Sequence, residues 1–128
     1  MKQQENPSFS LKKRVTSFKY ALKGLKIILA TQHNFLIHLI VAAFVAGAGL
    51  FFKVSLIEWC VLILTIAMVL VVEAFNTSIE KLTDIVSPDY NLQAGKVKDI
   101  AAAAVLIAAI ASIIIGITIF LPKFMNYI

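Results

Sequence analysis

Charge is scarce in this chain: 15% of its 128 residues are Asp, Glu, Lys or Arg, where a soluble domain carries about 25%, and 60% are hydrophobic. That shortage excludes an ordinary water-soluble domain and implies a membrane protein. Cysteine is nearly absent. Cys60 stands alone in an apolar stretch, so an intramolecular disulfide is excluded and the thiol reads as a small hydrophobe. Met1 to Lys26 lacks the apolar core and small-residue cleavage site of a secretory signal, so the first hydrophobic run is expected to remain in the mature protein. No repeat, low-complexity tract or dedicated linker stands out. At about 20 residues per crossing there is room for three or four spans, and none for an added soluble catalytic module.

Three spans are predicted. Ile27 to Phe52 and Ile100 to Pro122 carry no charge, the latter closed by Pro122 and Lys123. Between them, Trp59 to Val72 is uncharged for only 14 residues, but Val54 to Ile57 precede it and Ala74 and Phe75 extend it past Glu73. Charge placement supports a crossing there. Seven basic residues (Lys2, Lys12, Lys13, Arg14, Lys19, Lys23, Lys26) precede the first span and three (Lys81, Lys96, Lys98) lie between the second and third; Lys53 and Lys123 stand alone in the remaining segments. Short cytoplasmic segments collect Lys and Arg, so the amino terminus and the Glu73–Asp99 segment are expected inside and the carboxyl terminus outside.

Ahead of the first span, Ser10 is a candidate cap, and Leu11, Val15, Phe18, Leu22, Leu25 and Leu29 recur every three or four residues with lysines between them. That pattern predicts an amphipathic helix on the inner leaflet, whose anionic lipids attract its basic face. Small residues repeat every four positions at Ala104, Ala108, Ser112 and Gly116, and at Ala43 and Gly47, giving narrow faces for close helix packing. Three helices enclose little interior, so a homo-oligomer is expected. Ser87 to Gly95, with Pro88, Asp89, Asn91 and Gly95, reads as a loop or short surface helix.

Glu73, Asn76, Glu80 and Asp84 carry the chemistry. At about 100° per residue their spacings of 3, 4 and 4 place them in one stripe about 80° wide on the helix leaving the apolar run. A carboxylate at the bilayer centre costs about 2.5–3.5 kcal/mol, less toward the interface, so Glu73 needs a partner or a task. One reading is a solvated helix end paired with Lys81, Lys96 or Lys98. Another is a hard-oxygen site for Mg²⁺ and phosphate, built from Glu73, Asn76 and Glu80 with Lys96 or Lys98 holding the phosphates. Intramembrane carboxylates also suit a proton or cation carrier.

The run Glu73-Ala-Phe-Asn76-Thr-Ser-Ile-Glu80-Lys-Leu-Thr-Asp84 resembles the signature of the prokaryotic diacylglycerol kinase family, which includes undecaprenol kinases. Gly95-Lys-Val-Lys98-Asp99 resembles the segment that opens the family's third span. With Tyr20-Ala-Leu-Lys23-Gly24, the resemblance runs from about Lys12 to Leu121. It implies a single integral-membrane lipid kinase domain over residues 1–128: an all-α protein with an amphipathic surface helix (8–26) and membrane helices (30–52, 56–84, 97–121), assembled as a homotrimer with shared sites. It also implies transfer of the γ-phosphate of MgATP to a lipid alcohol at the inner leaflet of a bacterial cytoplasmic membrane, with no nucleic-acid partner. Glu73 then matches the general base, Asn76 a residue of the same site, and Glu80 a Mg²⁺ ligand. Lys98 and Asp99 match nucleotide contacts, Asp89 and Asn91 the segment near the adenine, and Lys13 and Tyr20 further nucleotide or lipid contacts.

A carboxylate poised to accept the proton of a lipid hydroxyl is what such transfer needs, and Glu73 fits. No G-x-x-x-x-G-K-[ST] or H-R-D loop is present, which excludes the two common soluble kinase designs. One position departs from the family. Gln32 stands where a glutamate usually supplies a second metal ligand, and Leu36 where a basic residue is common. Metal binding is then weaker, or His33 or His38 compensates, or the protein is a catalytically impaired member with a structural or regulatory role. No residue discriminates diacylglycerol from undecaprenol.

Overall fold

A computed structural model describes residues 10–128, and every described element is helical. Four helices follow in order: α1 (Leu11–Thr31), α2 (His33–Phe51), α3 (Leu56–Val86) and α4 (Leu92–Met125). Residues 8 and 9 of the expected surface helix, and Lys2 of the basic cluster, lie outside the described residues. The chain divides into two units, α1 with its N-terminal flank and Gln32–Ile128.

In α1 the Lys13 amide donates to Ser10 Oγ at 3.4 Å, so Ser10 caps the helix. Thr16 and Ser17 return their hydroxyls to the carbonyls of Lys12 and Lys13. None of its residues is buried, and Leu11, Val15, Phe18, Leu22 and Leu25 are all exposed. Nothing in Ile27–Ala30 breaks a helix, so α1 continues beyond residue 26. The break comes at Gln32, whose extended backbone (φ −114°, ψ 101°) starts α2.

The second unit contains three helices long and apolar enough to cross a membrane, of 19, 31 and 34 residues. At about 1.5 Å per residue they measure about 28, 46 and 51 Å, so α3 and α4 outreach a hydrocarbon core about 30 Å thick. Their apolar side chains mostly face outward, Phe44, Leu64 and Ile107 among them. The interior is a thin seam. Val54, Leu62 and Ile119 form its buried core, with Val45, Trp59, Ile115 and Phe120 against them, where α2 ends, α3 begins and α4 ends.

Residues 52–55 join α2 to α3 by local chemistry. The amides of Lys53 and Val54 donate to the carbonyls of Leu50 (3.3 Å) and Gly49 (3.0 Å), and Lys53 takes the left-handed conformation (φ 50°) that usually selects glycine. Ser55 and Glu58 then form a reciprocal cap. Ser55 Oγ accepts from the Glu58 amide at 3.3 Å, and Glu58 Oε2 accepts from the Ser55 amide at 2.6 Å. Glu58 also pairs with Lys123 of α4 at 3.0 Å. Pro122, expected to close the last span, lies inside α4: it removes one ladder hydrogen bond, but Lys123 and the packed Ile119 and Phe120 hold the following turn, which runs to Met125. At the other end Lys98 of α4 pairs with Asp84 of α3, so this hairpin is clasped at both ends. Asn91 caps α4 by accepting from the amides of Gln93 (2.8 Å) and Ala94 (3.3 Å), which starts the helix at Leu92, so Leu92–Gly95, expected in a loop or short surface helix, open the long α4 instead.

Candidate functional site

The buried face of α3 changes character along its length. Leu62 and Val69 are buried and apolar; one turn on from Val69, at the same azimuth, the buried residues are Glu73, Asn76 and Thr77, with 2%, 8% and 3% exposure. Glu80 continues the stripe half-buried, and Asp84 emerges exposed. The four polar residues singled out by spacing therefore share one face, grading from the protein interior to solvent.

Asn76 Nδ2 donates one N–H to Glu80 Oε1 at 3.1 Å, which leaves the amide oxygen aimed elsewhere. Asn76 Oδ1 and Thr77 Oγ1 are buried and have no hydrogen-bond partner among the described residues. Buried polar atoms are rarely left so, because each forgoes about 1–3 kcal/mol. Thr77 is the residue that the sequence reading missed. Thr65, Ser78, Thr83 and Thr118 each donate to the carbonyl four residues back, as solitary helical hydroxyls do, and Thr77 does not. Its position on the polar stripe was the available signal.

Glu73 has His38 of α2 and Glu80 of α3 as ionisable neighbours. Among the described residues, no three of His, Cys, Asp and Glu gather closely enough to hold a metal by themselves. Glu80 with the unpartnered Asn76 oxygen is instead a pair of hard donors, suited to a cation whose remaining ligands come from phosphate and water.

Beyond the stripe, Asp84, Asp89, Asn91 and Lys98 surround a polar hollow of about 220 Å³ at the α3–α4 connection. Lys98 reaches it from the first turns of α4, held by Asp84; Asp99 is exposed and is not among the lining residues. Gln32 is half-buried at the start of α2, and Lys13 and Tyr20 are exposed on α1. Two hollows therefore flank the stripe, this polar one and an apolar cavity of about 200 Å³ between α2, α3 and α4.

The family model for prokaryotic diacylglycerol kinase matches residues 19–120. A diacylglycerol kinase from Synechocystis sp. is 38% identical over 113 residues, a stretch covering 88% of this chain and 65% of that protein, just under two thirds of its length. An undecaprenol kinase from Bacillus subtilis is 37% identical over 107 residues, 84% of this chain and 87% of that protein. The diacylglycerol kinase of Escherichia coli is 30% identical over 95 residues, 74% of this chain and 78% of that protein.

Proposed function

The chain belongs to the prokaryotic diacylglycerol kinase family, a family of lipid kinases, and from that premise we propose that it transfers the γ-phosphate of MgATP to the hydroxyl of a membrane lipid alcohol, diacylglycerol or undecaprenol. The observation that carries this reading is Glu73, an acid buried where the apolar face of α3 turns polar, beside unpartnered oxygen donors. Burying a carboxylate is costly, and a proton-accepting task there accounts for it.

In this reading Glu73 takes the proton of the acceptor hydroxyl. The acceptor O–H bond breaks as a carboxyl O–H forms, the freed oxygen bonds to the γ-phosphorus, and the bond to the β–γ bridging oxygen breaks, its electron pair leaving on ADP. Glu80 and the Asn76 oxygen are the donors that fit Mg²⁺, with Gln32 offering at most a neutral carbonyl oxygen; the bound ion would neutralise charge on the phosphates. Lys98, Asp99, Asp89 and Asn91 are assigned to the nucleotide, around or beside the polar hollow, and Lys13 and Tyr20 to nucleotide or lipid contacts from α1.

The wider arrangement follows from the same reading. Residues 8–26 lie as an amphipathic helix on the cytoplasmic face of the inner membrane, 30–52, 56–84 and 97–121 cross it, the amino terminus is inside, and three copies share sites. The exposed apolar rows on α1 and the many exposed apolar residues of α2–α4 support it. A second reading, an impaired member of the family, rests on Gln32. Transfer of labelled γ-phosphate in mixed micelles, with diacylglycerol and undecaprenol side by side across a Mg²⁺ titration, decides between them. Product on either lipid supports the kinase and names its acceptor; no product on both, from an assembled oligomer, favours the impaired member.

A further inference from the structure

His38 is a titratable side chain inside the second unit to which the catalytic reading gives no task. It projects from α2 into the apolar cavity, beside Val69 and Leu70 of α3 and Ser112 of α4. The other polar groups of that cavity are already satisfied: Thr65 Oγ1 donates to the Val61 carbonyl at 2.7 Å and Ser112 Oγ to that of Ala109 at 2.8 Å. A half-buried imidazole in such a place needs its own partner.

The register of α2 against α3 supplies one. The two helices are joined by a four-residue turn and run antiparallel, with Gly49 under Trp59 near the turn and His38 level with Val69 and Leu70 further along. Glu73 is one turn beyond Val69 on the same face of α3. In an α-helix every Cα–Cβ bond tilts toward the amino terminus. In antiparallel neighbours these tilts oppose, so His38 leans toward the level of Glu73, and Glu73 leans back toward His38. The carboxylate's other ionisable neighbour is Glu80 on its own helix. On α4 the nearest charges in sequence are Asp99, which is exposed, and Lys98, which is engaged with Asp84.

We propose that His38 is a positioning residue for Glu73: an imidazole N–H from α2 donates to the buried carboxylate and fixes which oxygen meets the acceptor hydroxyl. The catalytic part of this inference rests on the lipid-kinase reading; the contact itself does not. Holding a reacting group in line is worth large factors in rate, and a side chain opposite the base can do so without touching substrate.

Two measurements test it. The chain has two histidines, so with isotope-labelled histidine the assembled protein in detergent gives His38 and His33 imidazole nitrogen resonances, the second an internal control. Glu73→Gln shifts the His38 resonances and leaves those of His33 in place; unmoved His38 resonances overturn the contact. In the transfer assay, His38→Leu lowers kcat by about tenfold to a hundredfold with KM for MgATP unchanged. His38→Asn or His38→Gln, which keep an N–H donor, return it to within a few-fold of the parent. Full kcat in His38→Leu, or equal loss in the leucine and amide variants, overturns the role. Should His38→Leu not assemble, the amide variants and the resonances decide. A protein that phosphorylates no lipid refutes the kinase reading, while the resonances still report on the contact.

Discussion

The indole of Trp59 lies directly over Gly49, so close that a Cβ on the glycine would fall 2.7 Å from Cη2 and 2.9 Å from Cζ2 of the ring. Real Cβ atoms do not approach that near, and an indole packed against the seam cannot swing away as a flexible chain end would. Gly49→Ala is therefore expected to destabilise the second unit by about 1–3 kcal/mol despite the better helix propensity of alanine. Thermal unfolding in detergent measures it, with Gly24→Ala, where nothing stands within 4 Å, as the control that leaves stability unchanged or slightly raised.

Lys53 bears the opposite strain. It occupies a left-handed position (φ 50°) in the turn that closes α2, where a side chain costs about 1–2 kcal/mol and glycine costs nothing. Lys53→Gly should raise stability by about 1 kcal/mol, since the hydrogen bonds of the turn involve only backbone. An unchanged or lowered unfolding temperature would show that the lysine side chain has a compensating role.

Glu73→Gln keeps the shape and removes the proton acceptor. Phosphoryl transfer is expected to fall by at least about 10²-fold, with elution on size-exclusion chromatography unchanged. Turnover at the parent rate would remove Glu73 from the mechanism.

Gln32→Glu tests the departure from the family. A carboxylate at the start of α2 adds a charged hard-oxygen donor, so the Mg²⁺ concentration giving half-maximal transfer should drop, by about tenfold for 1.4 kcal/mol of added binding. If the parent has no activity, this substitution is the one expected to create it. A Mg²⁺ dependence identical in both proteins would place residue 32 outside the metal site.

The helical architecture was legible because its causes are local or additive. Long apolar runs mark the spans, and the grouping of Lys and Arg argued for a crossing at Trp59–Val72 despite Glu73. Ser10 as a cap was equally plain. Boundaries were harder: Pro122 looked like a stop, and the Glu58–Lys123 pair that holds the turn around it joins residues 65 positions apart. Lys53 gave no sign of its backbone, because such a position is recognised in a sequence chiefly by glycine. In the site, the stripe from Glu73 to Asp84 could be read from helical spacing alone. The orphaned oxygens of Asn76 and Thr77 could not, since a hydroxyl at a given position reveals nothing of whether its usual carbonyl is taken. His38 was visible as an isolated histidine, but its relation to Glu73 depends on the register between two helices.

The placement of Glu73 on the packed face of α3 also bears on how the protein enters a bilayer. Taken alone, α3 would present a carboxylate, an amide and a threonine hydroxyl to lipid; only beside its neighbours does that face close. Its longest partner, α4, follows after five residues and is rich in alanine and isoleucine, with no charge from Ile100 to Pro122. The two helices are therefore best regarded as one unit of insertion, the second chaperoning the first. A chain truncated after Val86 should be retained poorly in membranes even though its apolar run is intact.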